Sequence, residues 1–311
     1  MDKIWKSKQL DLLKNGQSLF RWIPDNIGEI YYCDSTEERS EPYSAEEKKK
    51  KTIGGVVFAV VGLGLIWGFL YAHYIWASIL SVIIFLIVRK MTNFAFKGKD
   101  FFVGDQGFAI AEFSETRSNV VRQHIFLFKD VLALFTGETI QMQNYSYTGT
   151  SYFFEVFNVP VELDKELVFT PIYKIEGYYR DKEPQDPMNP QNADAEYCFM
   201  KAVEVSWTQF FVNRTKSLPE IQFPMAVIVD KKYRILPYVT LTDHSIIVND
   251  KEYTRENTKK IYFSNGNLVI EHNNHTKKLL GLIEKGDISN ISMTLLGNKR
   301  AFLTLFNQRF S

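Results

Sequence analysis

Between Thr52 and Val88 the chain carries no Asp, Glu, Lys or Arg. A run of that length without a charge is excluded from an ordinary water-facing surface. Cysteine is nearly absent too: Cys33 and Cys198 are the only two, far apart and on opposite sides of that run. Two such cysteines make neither a secreted disulfide framework nor a metal-type pair, so both are expected as free thiols in a reducing compartment. Motifs that announce chemistry are also lacking. There is no GxSxG, no GxxxxGK[ST], no HExxH and no paired CxxC. Net charge gives no direction, since 37 Lys and Arg stand against 36 Asp and Glu. No basic stripe concentrates in either half, which removes a nucleic-acid partner. The opening segment MDKIWKSKQLDLLKNG holds no apolar core of signal-peptide length, so no cleaved signal is expected.

What is present begins with the uncharged run itself. As one helix, Thr52–Val88 would rise about 55 Å, against a hydrocarbon core of about 30 Å. Two crossings fit, over Thr52–Tyr71 and Ile75–Met91, with a turn near Tyr71, Ala72, His73 and Tyr74. His73 is read as a solvated histidine at the boundary rather than a proton relay. Lys48, Lys49, Lys50 and Lys51 precede the first helix. Arg89 and Lys90 end the second, and Lys97 and Lys99 follow. With no Lys or Arg in the turn, the positive-inside rule puts both flanks, and both termini, in the cytoplasm. Gly64-Leu-Ile-Trp-Gly68 is a GxxxG, a spacing at which a second helix or another copy of the chain can pack closely.

Residues 1–51 are expected to be a cytoplasmic extension. Ile4, Trp5, Leu12 and Leu13 alternate with lysines as a surface-lying helix would, a frayed terminus being the alternative. Cys33–Lys51 reads as a polar linker. After the hairpin the pattern turns to short apolar runs separated by turn residues. KDFFVGDQGFAIAEF predicts a β-hairpin turning at Asp105-Gln106-Gly107. HIFLFKDVLALF, ETIQMQ, TSYFFEVFN and LVFTPIYKIEGYY read as further strands. Pro184, Pro187 and Pro190 mark a loop. AEYCFMKAVEVSWTQFFVNRT predicts an amphipathic helix with Phe199, Ala202, Val203, Ser206, Trp207, Phe210 and Phe211 on one face and Lys201, Glu204 and Thr208 on the other. Beyond Pro219 a second β series follows, with turns at Asn249-Asp250 and Asn265-Gly266. A short closing helix capped by Asn298 ends it. YVTLTDHSIIV echoes FFVGDQGFAIA, with Asp243 matching Asp105.

Strands followed by one closing helix, in phrases such as HIFLFKDVLALF and GNLVIEH, resemble the pleckstrin-homology-like (PH-like) fold. The chain is similar in this to bacterial membrane-anchored proteins that carry such domains behind a membrane hairpin. The resemblance implies a partly open β-barrel capped by a helix, serving as a binding or scaffolding module. The expected fold class is therefore an α+β membrane protein, with an N-terminal transmembrane helical hairpin followed by two β-rich, helix-capped PH-like domains. The expected divisions are 1–51, 52–91, 98–218 and 219–311, with one larger mixed domain as the alternative.

The expected function is a non-enzymatic, membrane-tethered adaptor in the bacterial inner membrane, presenting these domains to a protein partner or to lipid headgroups. A membrane-perturbing or pore-forming subunit is the alternative, and self-association through Gly64 and Gly68 would serve it. Lys97, Lys99, Arg117 and Arg122 are candidate headgroup contacts, with Lys129 near them. His272 and His275 are read as part of an exposed hairpin tip, because no third ligand joins them. No cofactor and no metal are expected.

Overall fold

The computed structural model describes residues 8–70, 73–144, 146–158, 168–169, 171–179, 195–229, 232–248, 250–274, 276–278, 283–285 and 288–310. Ile4, Trp5, Tyr71, Ala72, Asn249, His275 and the loop of Pro184, Pro187 and Pro190 lie outside the described residues.

The first surprise is where the hairpin sits. Helix α1 (Lys8–Lys14) leads to strand β1 (Ile30–Ser35), and only then come helices α2 (Ala45–Leu70) and α3 (Tyr74–Met91). Strand β2 (Lys97–Gly104) returns to pair antiparallel with β1, Ser35 opposite Asp100 and Ile30 opposite Gly104. The hairpin is thus an insertion between two neighbouring strands, not an appendage ahead of the β-rich part. The expected linker over Cys33–Lys51 is corrected accordingly: its first residues are a sheet strand, and its last belong to α2. That helix starts earlier than the apolar run because Ser44 and Glu47 cap it reciprocally. The Ser44 N–H donates to Glu47 Oε2 at 2.8 Å, and the Glu47 N–H donates to Ser44 Oγ at 3.2 Å.

Strands β3 (Gly107–Ser114) and β4 (Thr116–Leu127) complete a four-stranded sheet in the order β1-β2-β3-β4. The β2–β3 turn is the expected one, with Val103 opposite Phe108 across Asp105 and Gln106. These two strands are apolar on both sides because both are covered. Phe101, Val103, Phe108 and Ile110 face the main core, while Phe102 and Ala109 meet Leu10, Leu19, Phe20 and Ile27. Leu10 is buried there and Leu13 packs beside it, so α1 lies on protein rather than on a leaflet.

HIFLFKDVLALF is not one strand. A 3-10 turn at Phe128–Asp130 breaks it, and β5 (Ala133–Gln143) begins a second sheet with β6 (Ser146–Phe157) and β8 (Tyr173–Tyr179), ordered β5-β6-β8. Between them, β7 (Val168–Phe169) leaves to pair with a strand of the second series. Helix α4 (Ala195–Thr215) then closes the seven strands.

The second series repeats the plan. Strands β9 (Glu220–Val229), β10 (Lys232–Thr242), β11 (Ser245–Val248) and β12 (Lys251–Thr254) form an antiparallel meander. Strands β13 (Thr258–Ser264), β14 (Asn267–His272) and β17 (Ile288–Ser292) form a three-stranded sheet. A small hairpin of β15 (Thr276–Lys278) and β16 (Ile283–Lys285) lies between β14 and β17, and α5 (Lys299–Phe310) closes the series. Asp243-His244 occupies the turn between its second and third strands, the place Asp105-Gln106 takes in the first series. Asn265 and Gly266 both have left-handed φ, at 50° and 74°, as a two-residue hairpin turn of that composition requires.

The two cores meet along α4. Its Phe199, Val203 and Trp207 belong to the first, and Val212 to the second. Glu204 and Thr208, expected on a solvent face, are buried as well. Glu204 accepts a hydrogen bond from Thr136 Oγ1 at 2.7 Å. Beside it, burial pulls the Lys299 ammonium below the ordinary lysine value; Lys201 adds to that, while Glu204 and Glu138 oppose it.

Asn298 does not cap α5 with its side chain. Its Oδ1 accepts from the Leu134 N–H at 2.9 Å and from Trp207 Nε1 at 2.8 Å, and its Nδ2 donates to Leu132 O at 3.2 Å. With φ at 55° and 4% exposure, it pins β5, α4 and α5 together. Asn298→Ala strands two buried donors at about 1–3 kcal/mol each. The expected result is a fall in thermal unfolding midpoint on the order of 10 °C. Asn298→Asp, which keeps both acceptor contacts, should lose less.

Candidate functional site at the base of the hairpin

Thr36 and Lys99 mark the mouth of the insertion. The Thr36 N–H donates to Lys99 O at 3.0 Å, and the Lys99 N–H donates to Thr36 Oγ1 at 2.9 Å. Behind them lies Arg117, whose side chain is 1% exposed. Its Nη1 meets Asp100 Oδ1 at 2.7 Å and Ser35 Oγ at 3.3 Å, its Nε donates to Arg39 O at 2.8 Å, and its Nη2 donates to Glu37 O. One guanidinium therefore ties the segment entering the hairpin to the strand leaving it. A planar fork of five donors suits this task, where an ammonium would not. Burial pushes the Asp100 carboxyl up from the ordinary range, with Ser35 and Arg117 pulling it back.

This arrangement corrects the reading of Arg117 as a headgroup contact, because a cation so enclosed cannot reach lipid. Lys99 is likewise engaged, 2.7 Å from Glu196 at the start of α4. Arg122 is exposed but stands opposite Glu112 on β3. Lys97 is exposed at the mouth.

Above the mouth, Lys48, Lys49, Lys50 and Lys51 occupy the first turns of α2, and Arg89 and Lys90 the last turn of α3, all exposed. Lys50 pairs with Glu46 at 2.8 Å. Lys51 Nζ donates to Tyr43 Oη at 2.6 Å, and Tyr43 packs edge-on against Phe94, their centroids 5.8 Å apart. Cations and aromatic rings thus gather where the two helices meet the sheet.

Both helices are long and apolar enough to cross a membrane. They pack on each other through Gly55 and Gly62 rather than through Gly64 and Gly68. A Cβ on Gly62 would lie 2.5 Å from Ile84 Cδ1, and one on Gly55 3.3 Å from Thr92 Cγ2. A Cβ on Gly64 or Gly68 would meet no atom of the described residues within 4 Å, so that face is open among them. His73 precedes α3 and is exposed.

A groove of about 710 Å³ runs beside α4, lined by Glu29, Tyr31, Asp105, Ser206, Gln209 and Phe210 among others. Tyr31 Oη is buried beside the Ser206 hydroxyl, which donates to Gly104 O at 3.0 Å. Burial pushes the Tyr31 phenol up to about 12, with the Ser206 hydroxyl opposing the rise and the Asp105 charge adding to it.

His272 is not at an exposed tip. It is half-buried, with Nε2 3.0 Å from Ser289 Oγ and its ring edge-on to Tyr253. Among the described residues no three His, Cys, Asp or Glu side chains are placed to hold a metal ion. Cys33 and Cys198 form no disulfide.

Sequence reasoning missed the Arg117 knot, the Tyr43–Phe94 pair and Tyr31. The one available signal for the first was Asp100, an acid directly ahead of the apolar stretch Phe101, Phe102 and Val103 in β2. No protein-family model, curated protein or solved structure matches this chain.

Proposed function

We propose that this chain is a membrane-tethered adaptor of the bacterial inner membrane. Its hairpin crosses the bilayer twice, and two PH-like units stand on the cytoplasmic face. The observation that carries this reading is the insertion of the hairpin between paired strands. Because Ser35 and Asp100 are opposite one another, both ends of the excursion emerge on one side, as the lysine-rich flanks require under the positive-inside rule. The PH-like reading draws on the twice-repeated plan of four strands, three strands and a closing helix. The groove beside α4 presents exposed Gln209 and Asn213, whose side-chain amides can donate to and accept from a protein ligand.

The test joins topology to binding. In intact cells, a cysteine replacing His73 should react with an impermeant maleimide from outside, and one replacing Asp250 only after lysis. The tagged chain, solubilised in detergent, should then recover a stoichiometric protein that Gln209→Ala with Asn213→Ala releases. Labelling of both sites from outside, or neither partner nor lipid binding, would overturn the reading.

One observation favours a second reading. The open face at Gly64 and Gly68 is free for another copy of α2, as an oligomeric, membrane-perturbing subunit would need.

A further inference from the structure

We propose that the β5–β6 ribbon is a second bilayer contact, its uncharged tip seated in the headgroup layer beside the hairpin. The proposal rests on the membrane reading above and on the levels that residues of the first unit occupy along α4. Helix α4 runs alongside β2. Glu196 meets Lys99 at 2.7 Å, Phe199 stacks on Phe101 with centroids 4.7 Å apart, and Ser206 Oγ reaches Gly104 O at 3.0 Å. The N-terminal end of α4 therefore lies at the hairpin mouth.

Strand β5 runs the opposite way along the same helix. Leu134 shares Asn298 with Trp207, Thr136 bonds Glu204, and Glu138 meets Lys201 and the Tyr197 hydroxyl. The strand is thus heading for the mouth when it passes Glu138. From there Thr139–Gln143 adds about 17 Å at the rise of an extended chain. Lys97 stands only about 11 Å beyond the same level, a little under one helical turn plus two strand residues. The ribbon tip accordingly reaches the plane from which the hairpin departs, and a few Å past it.

The chemistry of the tip fits that place. No Asp, Glu, Lys or Arg occurs between Glu138 and Glu155. Ile140 and Met142, alternate residues of one strand, are 55% and 58% exposed. β5 is also an edge of its sheet. Edges left in water are commonly guarded by charge, as exposed Val121 is flanked on β4 by Arg122. Here nothing of the kind intervenes, and Tyr147 and Tyr178 supply the aromatic hydroxyl groups typical of the interface.

The full chain would be reconstituted in phosphatidylethanolamine–phosphatidylglycerol vesicles containing lipid with a nitroxide high on the acyl chain. A bimane label is placed at Met142→Cys, Val82→Cys or Asp250→Cys in a Cys198→Ser background. Cys33, fully buried, should stay unlabelled, which the background protein checks. The expected result is loss of emission at Val82 and Met142 and none at Asp250. Quenching at Val82 alone overturns the ribbon contact and leaves the membrane reading standing. Quenching at neither overturns the membrane reading itself. A Met142 label shielded from aqueous iodide yet untouched by the nitroxide lipid means protein covers the ribbon, and also overturns the proposal.

Discussion

Replacing residues 42–93 with a short Gly/Ser linker is expected to convert this chain from one that needs detergent into one that stays monomeric in buffer. The ends to be joined are already close, since Tyr43 packs on Phe94. A flexible linker of about six residues spans about 13 Å on average, enough to close the gap without strain. The excision leaves Arg39 O and Glu37 O in place for Arg117, and removes no residue of the three buried clusters. What it does remove is, among the described residues, nineteen large apolar side chains exposed between Ile53 and Met91. At about 1 kcal/mol for each half-exposed group, their transfer out of water is worth on the order of 20 kcal/mol. That is more than the net stability of an ordinary domain, about 5–15 kcal/mol. Size-exclusion chromatography with light scattering, together with circular dichroism, reads the outcome. If the excised protein aggregated while the full chain proved monodisperse without detergent, the hairpin would have no claim on lipid.

The second large effect concerns Arg117. Arg117→Ala should lower stability by about 3–5 kcal/mol, because it leaves Asp100 buried without its counter-charge. Arg117→Lys should recover little, since one ammonium cannot serve Asp100, Ser35, Glu37 and Arg39 together. The loss depends on pH in a definite direction. Asp100 is already raised by burial, and removing Arg117 withdraws one of the influences holding it down. A carboxyl raised in the folded state stabilises that state below its unfolded value and loses the contribution as pH rises through the folded one. The Arg117→Ala deficit should therefore be larger at pH 8 than at pH 5, measured by denaturant unfolding of the hairpin-excised protein. An equal deficit at both values would show that Asp100 had found water or another partner. Arg117→Ala with Asp100→Ala should be less damaging than the single change, and pH should matter little to it.

Much of the architecture was legible because its signals are local. The Asp105-Gln106 and Asn265-Gly266 turns, the span of α4 and the repeated order of strands follow from side-chain alternation and turn chemistry. The hairpin's length follows from hydrophobicity alone. The errors share a different cause, that sequence neighbours are not space neighbours here. Cys33–Lys51 looked like a linker because its strand pairs with residues beyond the hairpin, across the whole uncharged run. The FFVGDQGFAIAEF segment was legible as a hairpin, but its second cover, Leu10 to Ile27, comes from the same distant segment and was not. Glu204 and Thr208 looked solvated because periodicity cannot reveal a second core behind a helix.

The candidate site was less legible than the fold. Lysines around an apolar run announce a membrane boundary, and those positions stand as exposed cations at the hairpin base. Lys97, Lys99, Arg117 and Arg122 are equivalent in a sequence, yet one is exposed at the mouth, one is ion-paired, one is enclosed and one faces a carboxylate across a strand pair. That distinction depends on register, which composition does not carry.

The strand order has a consequence for how the protein is made. The first β-strand leaves the ribosome well before its partner, with the two bilayer-length helices still to come between them. Until the chain beyond those helices has emerged, the leading segment has no sheet to join and its apolar residues have nothing to cover. On the proposed membrane reading, insertion of the hairpin comes before the first unit can close, and a fault in insertion would surface as misfolding in the β-rich part of the molecule.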